Sequence, residues 1–208
     1  MRPRWTPVLY AVLLLAGCAT TLLPGCATTR AHRGASPLRA VLDTATSLLG
    51  AERVRLGTTP YRADCSGFVT AAFDAAGVDL VSSAAGGVSM TERIYRSQKA
   101  DGRIRRASSV RPGDLLFFHN TWDRNGNRLR DDRFTHIAVV GDVESDGTVT
   151  FFHFASGRVR RDVMNLRHRQ TARDPESGRE WNSPLRRGRG RVLSGQLFYR
   201  LARPLRAR

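Results

Sequence analysis

The chain is almost without lysine. Lys99 is the only one, so arginine carries nearly all of the 34 positive charges that stand against 18 acids, for a formal net charge of +16. Such a balance draws anionic partners. Proteins that grip nucleic-acid phosphates normally use lysine as well, and here the arginines sit in loops and tails, with no basic helical stripe and no interleaved aromatics. Specific nucleic-acid binding is therefore not expected, and anionic wall polymer or lipid headgroups serve equally well as partners. Cysteine is scarce too, three in 208 residues, and once the two near the N-terminus are set aside the one that remains cannot be part of a disulfide framework. No apolar run is long enough to span a bilayer, and no internal repeat is visible. What is present is 41% apolar residues and 25% charged, which suits one globular domain with a single core.

The N-terminus carries an address. Arg2 and Arg4 precede the apolar run from Val8 to Ala16, and Gly17-Cys18 follows, the layout of a secretory signal. Leu15-Ala16-Gly17-Cys18 resembles the lipobox of bacterial lipoproteins, whose cysteine is acylated and becomes the first residue after cleavage. Residues 1–17 are thus expected to be a signal peptide, Cys18 a lipidation site, and the protein exported and anchored to a membrane. Ala19 after that cysteine resembles the outer-membrane sorting pattern if the cell is Gram-negative. Leu23-Pro24-Gly25-Cys26 is a poorer copy of the box, spoiled by Pro24. Residues 18–35 lack apolar periodicity and read as a tether. The folded domain, residues 36–203, then holds a single cysteine, Cys65.

Ser36-Pro37 reads as an N-cap and first helical residue, with Leu38, Val41, Leu42, Ala45, Leu48 and Leu49 on one face before Gly50. A second helix is expected from Asp64 or Cys65 to Gly77, and a third over residues 89–100. The pattern then changes to strands: Leu115–Phe118, Thr135–Val143, Thr148–Ala155, Arg158–Met164 and Gln196–Leu201, with Asp146-Gly147 and Ser156-Gly157 as hairpin turns. Helices followed by an antiparallel sheet of about five strands make an α+β fold. Residues 166–191, rich in arginine and poor in periodicity, read as a basic surface insertion, either a mobile loop or a wall beside a substrate.

Cys65 stands where a loop becomes a helix. Backbone N–H groups and the helix dipole favour a thiolate there and lower the thiol pKa, and Gly67 would keep the approach to the sulfur open. The bland alternative is a buried structural thiol. A nucleophile needs a histidine to take its proton and a third group to fix that imidazole. Of five histidines, His32 lies in the tether and His168 among arginines. His136 opens the strand core Ile137-Ala138-Val139-Val140, and His153 in Phe152-His153-Phe154 lies on the next strand of a hairpin, within reach of it. His119 and Asn120 are held in reserve for the third position. Asp123, Asn125, Asn127, Asp131 and Asp132 alternate like a calcium loop, but Arg128 replaces the expected glycine and no glutamate closes it, so a polar turn is expected and no metal or other cofactor is called for.

Taken together, Asp64-Cys65-Ser66-Gly67-Phe68-Val69, Pro112-Gly113-Asp114-Leu115-Leu116-Phe117-Phe118, Thr135-His136-Ile137-Ala138-Val139-Val140 and Phe152-His153-Phe154-Ala155 resemble, in order, the landmarks of the NlpC-type cysteine peptidases of bacterial cell walls. The resemblance implies a papain-like core, Cys65 as nucleophile, His136 as general base and His153 as the polar residue that orients it. It also implies peptidoglycan as the partner, with cleavage between D-glutamate and the following diamino acid. A monomer is expected. One departure stands out: Tyr61-Arg62-Ala63 runs directly into Asp64 without the family's Gly-Gly stretch, which puts in question the place of Tyr61 near the oxyanion site. The strand hairpin from Ile137 to Gly147 also looks like the related CHAP domains. An amidase that cuts the sugar-to-peptide bond, or an acyltransferase, therefore stays open on the same fold, as does an inactive wall- or polyanion-binding lipoprotein.

Overall fold

A computed structural model describes residues 35–81, 86–186 and 191–205. The expected signal segment, the candidate lipid site Cys18, Cys26, His32 and the tether up to residue 34 lie outside the described residues. Helix α1 (Pro37–Ser47) starts at Ser36, whose hydroxyl accepts from the Arg39 N–H at 3.2 Å. A small hairpin, β1 (Arg55–Leu56) and β2 (Thr59–Pro60), leads to α2 (Cys65–Asp74), and α3 (Met90–Ala100) begins at the Ser89 cap. The sheet region follows: β3 (Ile104–Arg105), β4 (Leu115–Phe118), β5 (His136–Val143), β6 (Thr148–Ala155) and β7 (Arg158–Asn165). The chain ends with β8 (Pro184–Arg186), β9 (Val192–Leu193), α4 (Ser194–Leu197) and β10 (Phe198–Ala202).

The main sheet has six strands in the order β3-β10-β4-β5-β6-β7, all antiparallel. This is the α+β, papain-like arrangement expected from the sequence. Two details differ. The short edge strand β3 adds a sixth strand, and the last strand begins at Phe198 because Gln196 and Leu197 belong to α4. There the Gln196 side chain reaches back to the Leu193 N–H at 2.9 Å and holds a helical turn.

Alternation along the strands divides the apolar residues between two cores. Leu115, Phe117, Ile137, Val139, Phe152 and Phe154 face α1 and α2, where Val41, Phe68, Val69 and Phe73 meet them. Leu116, Phe118, Ala138, Val140, Phe151 and Met164 face the other way and pack with Val192, Leu197 and Leu201. The turn that starts β4 is closed by Gly113, which has φ +82°, a conformation that favours glycine. Next to it, the buried Asp114 carboxylate grips Arg203 with Nε at 2.8 Å and Nη2 at 2.9 Å, and also accepts from the Arg111 N–H. Pro112-Gly113-Asp114 is thus a structural lock between the start of β4 and the end of β10.

The segment after β7 is tied down at many points. Asn182, fully buried, donates to the carbonyls of His168 and Thr171 and accepts from the Asn165 N–H. His168 stacks on Trp181 with ring centroids 4.1 Å apart. Sequence periodicity missed this because the hold is polar: amides and carbonyls satisfy the buried backbone in place of an apolar stripe.

Candidate active site

Helix α2 begins at Cys65 because Asp64 caps it. The Asp64 Oδ1 accepts from the Gly67 N–H at 2.8 Å and from the Ser66 hydroxyl at 2.7 Å, while Arg62 Nε holds Oδ2 at 2.7 Å. Burial opposes ionisation of Asp64, but these donors outweigh it and bring its carboxyl below the usual carboxylate value. Gly67 does not serve to clear a path to the sulfur, as the sequence suggested. A Cβ there would stand 2.1 Å from the Arg62 carbonyl oxygen, so the glycine lets the chain that delivers Cys65 lie against the first turn of α2.

The Cys65 sulfur accepts hydrogen bonds from the backbone N–H of Ile137 and of Ser66 and from the Thr91 hydroxyl. Ile137 follows His136 directly, so the sulfur lies against the start of β5. The expected lowering of the thiol pKa does not occur: burial pushes it up to about 11, the Asp64 carboxylate adds to this, and the three donors recover only part. The helix-start argument weighed N–H groups and the dipole but had no knowledge of burial.

His136 opens β5 opposite Phe118 on β4 and is buried. Its Nε2 lies 2.7 Å from Nδ1 of His153, with the two rings nearly perpendicular at 85°. Burial, and then the neighbouring imidazole, hold His136 well below the ordinary histidine range, against a smaller opposing pull from Asp162. His153 is fully buried, and its Nε2 lies 3.1 Å from Oδ2 of Asp162 on β7. Burial works against the charge on Asp162, but His153 and Arg160, the latter at 3.5 Å from Oδ1, bring its carboxyl below the usual value. The structure therefore joins His136 and His153, brings the Cys65 sulfur to the backbone amide of Ile137, the residue after His136, and adds Asp162. Sequence reasoning passed over Asp162 as one acid among the arginines of Arg158-Val-Arg-Arg-Asp162. The signal was available: the Ser156-Gly157 turn sets Arg160 opposite His153, so Asp162, two residues on, shares its face.

The remaining candidates go elsewhere. His119 accepts the Phe134 N–H on Nδ1 at 2.9 Å and stacks on Tyr199 at 4.0 Å. Asn120 uses its backbone to reach Asp132 and Arg186. Tyr61 donates to Asp74 at 3.0 Å, at the far end of α2 from Cys65, so its hydroxyl is directed away from that thiol. In the 123–132 loop, Asp123 accepts the N–H groups of Gly126 and Arg128, and Asn125 and Asn127 each donate to Asp131. Among the described residues no group of three or more His, Cys, Asp or Glu could hold a metal ion.

Two hollows flank the site. One, of about 370 Å³, is lined by Arg62, Cys65, Met90, Thr91 and Arg124; the other, of about 270 Å³, by His136, His153, Arg160, Asp162 and Leu185. Trp122 lines both. Half exposed, it is steadied by its indole N–H on the Thr135 carbonyl at 3.2 Å. Pro184 and Leu185 bring the segment after β7 to the wall of the second hollow.

No curated protein and no solved structure matches the chain. The NlpC/P60 family model matches residues 52–172, which span α2 with its cysteine, β4, and the β5–β7 strands that carry His136, His153 and Asp162. With a match over more than half of its length, joined to this fold, the chain belongs to the NlpC/P60 family of cysteine peptidases, hydrolases of the bacterial cell wall.

Proposed function

We propose that the protein is a lipid-anchored cysteine hydrolase that cleaves amide bonds in peptidoglycan stem peptides, of the D,L-endopeptidase type. Cys65 is the nucleophile, His136 its general base and His153 the residue that orients the base. The observation that carries this reading is the placement of a lone cysteine at a capped helix start, its sulfur on the amide that follows His136, with His136 bonded in turn to His153 at 2.7 Å.

The resting pair is neutral, so the proton moves as the bond forms. The Cys65 sulfur attacks the amide carbonyl while its proton passes to His136, and first-turn N–H groups of α2 receive the oxyanion. His136 then protonates the leaving nitrogen, the C–N bond breaks, and a thioester remains. Water, deprotonated by His136, releases the acid and restores the thiol. The leaving amine must lie within reach of His136, and the two hollows beside the site leave room for substrate on either side of it. The arginine excess would hold the enzyme on an anionic wall, an attraction that salt weakens. Arg2, Arg4, the apolar run and the Leu15–Cys18 box support an exported protein anchored through acylated Cys18.

The test is incubation of the purified full-length protein with sacculi and with defined stem peptides, the products weighed by mass spectrometry beside Cys65→Ala. Fragments ending in D-glutamate and lost in the variant are expected. Unchanged hydrolysis by Cys65→Ala would overturn the mechanism, and intact peptide freed from the sugar would mark an amidase instead. The mass of the mature N-terminus reads the lipid on Cys18.

A further inference from the structure

We propose that Asp162 is the positioning residue that fixes where the protons sit on both imidazoles, and that it thereby leaves Nδ1 of His136 as the free base. The inference rests on the reading of Cys65 and His136 given above and adds a member that the family landmarks in this sequence do not include.

The argument is a count of donors and acceptors along one line of atoms. An ionised carboxylate only accepts. Asp162 Oδ2, 3.1 Å from Nε2 of His153, therefore requires the His153 proton on Nε2. A neutral imidazole has one N–H, so Nδ1 of His153 is bare and can only accept. The 2.7 Å bond between that Nδ1 and Nε2 of His136 then needs the His136 proton on Nε2. Nδ1 of His136 is left with a lone pair. When it takes the proton of Cys65, the imidazolium keeps its Nε2–H bond to His153, and no proton need travel to Asp162.

Asp162 suits this task by its surroundings. Phe151, His153, Arg160 and Asp162 share one face of the sheet, because the β6–β7 register pairs Phe151 with Asp162 and His153 with Arg160. The Asp162 side chain is mostly buried, and the charged or titratable groups that face it are His153 from β6 and Arg160 from its own strand, with His136 on β5 beyond His153. Arg160, at 3.5 Å from Oδ1, occupies the second oxygen and leaves Oδ2 for the imidazole. Without the carboxylate, His153 is free to carry its proton on Nδ1. It would then donate to Nε2 of His136 and move the His136 proton to Nδ1, where the base is lost.

The experiment has two arms on the full-length protein. Long-range proton–nitrogen NMR on the resting wild type reads the tautomers without any turnover, and both imidazoles are expected with the proton on Nε2. In Asp162→Asn, His153 is expected to lose that single tautomer. Removing the acid that directly holds a catalytic histidine can cost about 10⁴ in kcat, and with one imidazole interposed a fall of about 10- to 100-fold is expected here, KM unchanged and partly restored in Asp162→Glu. A proton on Nδ1 of either wild-type imidazole would overturn the proposal, whether or not the variants fold. So would unchanged tautomers and kcat in a folded Asp162→Asn. Failure of the hydrolase reading shows separately, as turnover that survives Cys65→Ala, and leaves the NMR arm intact.

Discussion

The protonation state of Cys65 before substrate arrives is the property on which sequence and structure disagree most. An ordinary thiol titrates at about 9.0, and burial carries Cys65 to about 11. At pH 7 its thiolate is therefore about a hundredfold scarcer than that of an ordinary cysteine, since each pH unit is a factor of ten. His136 shifts the opposite way, well below 6.5, so neither partner gains a charge from the other at rest. The assay is alkylation by iodoacetamide followed by peptide mass mapping, which separates Cys65 from Cys18 and Cys26. The Cys65 rate should be about a hundredfold below that of a free thiol at pH 7 and climb about tenfold per pH unit towards 11. Asp64→Asn keeps a capping side chain but removes the negative charge beside the sulfur, and should move the curve to lower pH. A rate that is already flat below pH 7 would refute the reasoning, because it would reveal a standing thiolate–imidazolium pair. The same shifts carry a sign for stability. The raised thiol contributes stability that is complete below 9.0 and lost as pH climbs through 11, while neutral His136 contributes stability above 6.5 that is lost on acidification.

Other perturbations read other parts of the argument. Asp114→Ala leaves Arg203 and the Arg111 N–H without their buried acceptor and should cost about 3–5 kcal/mol in urea unfolding; a loss under about 1 kcal/mol would sink the lock between β4 and β10. Gly67→Ala sets a methyl against the Arg62 carbonyl, so a cost of about 1–3 kcal/mol and a fall in kcat are expected, and an active variant of unchanged thermal midpoint would contradict the close approach. Trp122→Ala removes the wall shared by both hollows. Its half-exposed ring contributes little to folding, so KM for stem peptides should rise several-fold with the thermal midpoint nearly unchanged, and an unaltered KM would remove Trp122 from the binding surface.

Much of the fold was legible because its signals are local. Ser36, Asp64 and Ser89 cap the helices that the periodicity marks, and Ser156-Gly157, both at positive φ, turns the hairpin that aligns His153 with Arg160. What escaped depends on how the chain packs back on itself, which no local pattern announces. The Gly67 cleft is filled by Arg62 backbone, the segment after β7 is held by Asn165 and Asn182, and the thiol responds to its burial and to donors from α3 and β5. Asp162 drew no attention among Arg158, Arg160 and Arg161, and only strand pairing shows that it faces His153.

That pairing also explains why the site lies where it does. On β5, Ile137 and Val139 point to the core under α2, while His136, Ala138 and Val140 point to the opposite core. Cys65, the proposed nucleophile, comes from the helical layer and the imidazole chain from the other face, and they can meet only at the end of the sheet, where β5 begins and the Ile137 amide reaches the sulfur. A slip of one residue in β5 would turn His136 towards α2, away from His153, and bring Ile137 to the imidazole face. Phe118 opposite His136, and Leu116 opposite Ala138, therefore belong to the proposed catalytic arrangement: their burial fixes the register that sets His136 against His153.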